Sequence, residues 1–160
     1  MAKSEPKKRQ LKYRDFDAMM ADVNSLLDNG YISNGNWTLA QACGHVSDWM
    51  RFPIDGYPTP PLFMRPIFWV MKITVAPGMK RKILSEGFTG GMPTAPETVP
   101  KPDALSDQEA VEQLQKTVDR VQAHNGELIP SPLFGAQDKE LHTKVSLLHA
   151  EHHFGYLEPK

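Results

Sequence analysis

The sequence predicts an all-α chain, a four-helix bundle of up-down-down-up topology with one long crossover between helices 2 and 3. Apolar residues recur at helical spacing in four stretches, capping signals punctuate them, and no stretch alternates cleanly enough for a strand. The 160 residues are enough for one core, which at this size buries roughly two-thirds of the unfolded chain's surface.

Residues 1–13 read as a polar arm, and a single domain is expected over 14–160. In the first helix Phe16, Met19, Met20, Val23, Leu26 and Leu27 form one stripe, closed at Asn29-Gly30. The second begins at Trp37-Thr38, where Thr38 and Gln41 have capping-box spacing, and carries Leu39, Ala42, Val46, Trp49 and Met50 until Pro53 ends it. Prolines and glycines make residues 53–66 and 87–105 irregular, with short helices expected over 66–75 and 78–86, although Ile73-Thr74-Val75 would suit a strand equally well. Ser106-Asp-Gln-Glu109 is a second capping box and opens the third long helix, striped by Val111, Leu114, Val118 and Val121. The fourth runs from about Asp138 to Leu157, striped by Leu141, Val145, Leu148, His152 and Tyr156. More than 50 residues separate helices 2 and 3, so these two can run in the same direction. A connection that long in a small domain is usually functional, and it is expected to lie over the end of the bundle that holds the histidines.

A composition of 40 % hydrophobic and 23 % charged residues with net charge −1 is that of an ordinary globular protein, and it provides no general field for nucleic acid. The dense basic runs, Lys7-Lys8-Arg9 and Lys80-Arg81-Lys82, have the makeup of solvated faces. A lone cysteine, Cys43, excludes an internal disulfide, and the first 30 residues lack the apolar core of a signal peptide, so the cytoplasm is expected. The longest apolar run, Pro66–Met71 with Ile73–Ala76 beyond Lys72, falls short of the ~20 residues that span a bilayer. It reads as a buried or groove-lining segment. No membrane partner is expected, a docking patch for a membrane or another partner being the lesser alternative.

The histidines carry the chemistry. His149, His152 and His153 lie within a turn and a half of helix 4, and His45 lies seven residues into helix 2. Residues three or four apart share a helix face, so His149 can pair with His152 or with His153, and His45 from a facing helix can be the third ligand of a divalent metal. On a helical wheel His152 falls in the apolar centre while His149 and His153 share a flank, which favours His45, His149 and His153. His152 is then a core or supporting residue. His124 and His142 read as surface residues, Cys43 as a buried thiol, Asp48 as a hydrogen-bond partner for a ligand imidazole, and Glu151 as a weak candidate for acid–base help or a solvated side chain.

The arrangement Trp37-Thr-Leu-Ala-Gln-Ala-Cys-Gly-His45, the crossover, and His149-x-x-x-His153-Phe-Gly155 resemble the pattern of the DinB/YfiT-like superfamily. Ser131-Pro-Leu-Phe-Gly135 with the ending from His149 to Pro159 is similar to an uncharacterised subfamily of that clan. The resemblance spans about Phe16 to Pro159 and implies a four-helix bundle with three metal-binding histidines, an open coordination position, and zinc or nickel as the ion. It further implies a thiol-dependent transferase or a hydrolase acting on a small molecule, with a low-molecular-weight thiol as a possible partner and a homodimer as a possible assembly. Tyr156, where the family commonly has Gln, and the extra His152 depart from the pattern. The competing expectation is a non-catalytic helical module whose histidines are structural.

Overall fold

A computed structural model describes residues 7–59, 61–90, 99–101, 104–132 and 134–160. Helix α1 (Phe16–Asn29) starts where the Asp15 carboxylate accepts from the Ala18 N–H at 2.8 Å, and it is followed by strand β1 (Tyr31–Ser33). Both bonds of the expected capping box form at Thr38 and Gln41, opening α2 (Leu39–Asp55). A short 3₁₀ turn (Leu62–Met64) leads into α3 (Arg65–Thr74) and α4 (Ala76–Glu86). The Ser106–Glu109 capping box is also complete and opens α5 (Asp107–Ala123). Helix α6 (Lys139–Phe154) is capped by Asp138 and precedes strand β2 (Leu157–Pro159). The class is all-α as expected: six α-helices and one two-stranded antiparallel ribbon, in which Ile32 pairs with Glu158, among the described residues.

The stripes of α1, α2 and α5 meet in one core, with Met19, Val23, Val46, Met50, Leu114 and Val118 at most 1 % exposed. Full burial of a side chain such as Leu114 contributes about 1.5–3 kcal/mol. Helices α2 and α5 lie side by side in the same direction. Near their N-termini the Asp107 carboxylate accepts from the Ala40 N–H at 2.8 Å; near their C-termini Arg120 donates to Asp55 at 2.9 Å. Only a long connection allows that orientation.

The structure corrects several expectations. Helix α2 runs through Pro53 to Asp55 and stops at Gly56, whose φ of 107° suits glycine. Pro53 falls in the last turn, where its missing N–H forfeits a single ladder bond, and its ring is buried. Residues 53–55 and 62–66 are therefore helical rather than irregular, while residues 91–98 and 102–103 of the second irregular stretch lie outside the described residues. Helix α6 ends at Phe154, and Leu157 joins the ribbon to β1. Its buried face is His142, Ser146, His149 and Ala150, a rotation away from the stripe read from Leu141, Val145 and Leu148. Leu141 and Val145 face Ile83 and Leu84 of α4, so α6 is covered on two sides and its apolar residues do not mark a single face. Segment 66–76, expected to be buried or groove-lining, falls mostly in α3, which has no buried residue, and only Ala76 at the start of α4 is buried.

Residues 7–13, read as an arm preceding the domain, are strapped to it. Arg9 donates to both oxygens of Asp22 (2.8 and 3.0 Å), the Tyr13 hydroxyl donates to Asp22 at 2.6 Å, and the Arg9 N–H donates to the Gly155 carbonyl at 2.7 Å.

Candidate metal centre

His45 points from the middle of α2 toward the C-terminal half of α6. Its Nε2 lies 3.2 Å from Nε2 of His149, which lies 3.0 Å from Nε2 of His153, and the three ligand atoms all lie within 4.8 Å of one another. The structure thus brings together the three histidines singled out from the sequence. The helical wheel does not explain why His153 and not His152 joins the cluster: His149 sits in the buried face of α6 and not on a flank of it, and His152 is half-buried. What separates them is direction. The His152 Nδ1–H donates to the Phe88 carbonyl at 3.0 Å, with the Lys8 ammonium 3.1 Å from the same nitrogen and Tyr156 edge-on to the ring.

Aromatic rings enclose the cluster. Trp37 stacks on His153 with centroids 4.9 Å apart and planes 13° apart. Trp49 and Phe88 each pack 5.1 Å from His149. The Trp49 Nε1–H is buried and has no acceptor among the described residues. Trp37 and Trp49 were legible as helix residues, whereas no periodicity points to Phe88, which enters from the crossover after α4. Its position agrees with the expectation that residues 87–105 reach the histidines, as far as those residues are described.

Burial sets the protonation of the site. It holds the pKa of His149 well below the usual imidazole range, and positive charge on His153, His45 or His152 would lower it further. His153 is depressed for the same first reason, and His152 is pulled down to about 4 by burial and then by Lys8. The rings of His149, His152 and His153 are therefore neutral near neutral pH, the form in which imidazole binds a metal.

The remaining candidates have other roles. Asp48 accepts from Arg51 at 2.8 and 3.0 Å in place of the expected contact with a ligand ring. Glu151 accepts from the Tyr13 N–H at 2.6 Å and so fastens the N-terminal strap. Cys43 is fully buried and its thiol pKa is pushed up by desolvation and then by Asp107, which makes it inert. His142, expected at the surface, is 3 % exposed, bonded to the Met50 backbone, and borders a cavity of about 270 Å³ with Ile54 and Leu128. His124 is partly exposed and its ring nitrogen lies 3.4 Å from the Glu127 carbonyl.

The family model described as "Protein of unknown function (DUF1569)" matches residues 5–160. The chain belongs to the DUF1569 family. That match begins ahead of the N-terminal strap, so residues 7–13 fall within the family's domain in sequence, as they pack on it in structure. No curated protein and no solved structure matches the chain.

Proposed function

We propose that this DUF1569 protein binds a divalent metal, zinc or nickel, through His45, His149 and His153, and that it is a DinB/YfiT-like transferase using a low-molecular-weight thiol, or a hydrolase, acting on a small molecule. The observation that carries this reading is the approach of three imidazole nitrogens from two helices, at 3.0 and 3.2 Å for the adjacent pairs. Ligands ~2.1 Å from one tetrahedral ion stand roughly 3.4 Å apart, so small ring movements suffice to admit it. An all-imidazole donor set suits zinc and nickel better than calcium or magnesium. When bound, such an ion supplies a Lewis acid that lowers the pKa of a water or thiol beside it.

The chain's own residues do the rest. Trp37, Trp49 and Phe88 hold the rings in place and keep bulk water away. The Trp49 Nε1–H is available to donate to a ligand, and Lys8 provides a cation on the side of His152. In this reading α1, α2, α5 and α6 make an up-down-down-up four-helix bundle, with residues 56–106 as its crossover; the parallel pair α2–α5 supports it. The same reading makes the chain a single-domain cytoplasmic protein that can form a homodimer. A buried lone cysteine supports that compartment.

One observation favours the second reading, a non-catalytic module with structural histidines: His45 and His149 are only 3 % and 6 % exposed. Elemental analysis of protein purified without an affinity tag separates the two. Stoichiometric zinc or nickel that disappears in His45→Ala supports the metal centre. Metal raises stability by about 2.7 kcal/mol at a hundredfold excess over Kd, and His149→Ala or His153→Ala should abolish the corresponding rise in melting temperature while His152→Ala retains it. Protein that carries no metal and gains no stability from added zinc or nickel supports the module instead.

A further inference from the structure

The crossover presents an apolar face that the described chain does not cover. Leu62 and Phe63 are 75 % and 78 % exposed, Trp69 is 64 % and Ile73 56 %, with Ile67 and Val70 beside them. Isolated exposed apolar residues are ordinary, but a run of this density in one element marks an interaction surface. The same segment is strongly cationic. Residues 56–85 contain Arg65, Lys72, Lys80, Arg81 and Lys82 and no acidic residue, in a chain whose net charge is −1. Arg65 and Lys72 are seven residues apart, two helical turns, and so flank one side of α3 next to Trp69. None of the five enters an ion pair among the described residues.

We propose that this face docks on an anionic lipid surface, with Leu62, Phe63, Trp69 and Ile73 at the headgroup–acyl boundary and the cations against lipid phosphates. Short helices that pair Trp, Phe and Leu with Lys and Arg bind interfaces in this way, by apolar burial together with attraction to anionic headgroups. A second copy of the chain is a poorer occupant, because a two-fold contact sets the same patch against itself and opposes Arg65 and Lys72 with their own copies. Nucleic acid would engage the cations and leave Leu62, Phe63 and Ile67 in water. No helix of the described residues is long and apolar enough to cross a membrane, so the attachment is peripheral. It departs from the expectation of no membrane partner, and it stands independently of the metal reading. Helix α4 and Gly87 separate the face in sequence from Phe88, which packs on His149.

The test is co-sedimentation of the full chain with vesicles of phosphatidylcholine alone and of phosphatidylcholine mixed with phosphatidylglycerol. The expected result is binding to the mixed vesicles only, weakened by salt, with a blue shift in tryptophan emission that is missing in Trp69→Phe. Lys72→Gln and Arg81→Gln should each weaken binding about fivefold, and Trp69→Ala should remove most of it. These residues are exposed, so unchanged circular dichroism serves as the folding control. No binding to mixed vesicles overturns the proposal, as does binding indifferent to these substitutions. A dimer that Trp69→Ala dissociates also overturns it, showing a second copy on this face; so does equally tight binding to a duplex DNA, showing a general polyanion site.

Discussion

The imidazoles of His142, His149, His152 and His153 share one physical condition, burial that lowers their pKa in the folded chain. In the unfolded chain each titrates near ~6.5. Between the folded and unfolded values the unfolded state therefore holds more protons, and folding stability is full above ~6.5 and lost as the pH falls below it. The melting temperature of metal-free protein should be nearly level from neutral pH to ~6.5 and decline beneath it. A melting temperature indifferent to acid in that window would mean that these rings are solvated in the folded state. Added metal should steepen the dependence, because protons compete for the same nitrogens.

At the scale of elements, the helix starts are written in short polar motifs and their strength can be measured one at a time. Ser106 accepts from the Glu109 N–H while Glu109 accepts from Ser106, at the head of a helix with five buried residues. Ser106→Ala should cost about 1 kcal/mol, read from denaturant midpoints, and an unchanged midpoint would show that packing alone holds this end of α5. Gly56 stops α2 with φ at 107°, which an L side chain rarely adopts, so Gly56→Ala should destabilise by about 1 kcal/mol or more. Its failure to do so would place the stop signal at Pro53, as the sequence suggests. Helix α6 shows why a periodic pattern can mislead: apolar residues packed against α4 and polar residues packed against α2 sit on different faces of the same cylinder.

For the molecule as a whole, the N-terminal strap and the C-terminal ribbon tie the two ends of the chain to the same region. Arg9 and Tyr13 converge on Asp22, Arg9 also reaches the end of α6, and β2 pairs with β1. Hydrogen bonds to a charged group contribute about 1.5–3 kcal/mol each when shielded from water. Asp22 and Arg9 keep only about a fifth of their side-chain surface exposed (19 % and 20 %). Removing residues 1–13 should therefore lower the melting temperature markedly, and Asp22→Asn should reproduce part of that loss. If the truncated chain melts where the full chain does, the strap is an ornament on a domain that begins at α1.

Local chemistry decided much of this protein in advance. Capping boxes, the stripes of α1, α2 and α5, and the length of the crossover follow from nearest-neighbour preferences and helical period, and they were legible without coordinates. The three histidines were legible too, because spacing along α6 and distance from a helix start are one-dimensional facts. Which face of α6 is buried, where Phe88 lands, why His142 is inside and what Asp48 and Glu151 bind were not, since each depends on partners far away in sequence. Nor does a run such as Pro66–Met71 say whether it faces the core or the solvent. Hydrophobicity sets the free energy available from burial, and only packing against α4 and α6 determines which apolar surfaces of this chain collect it.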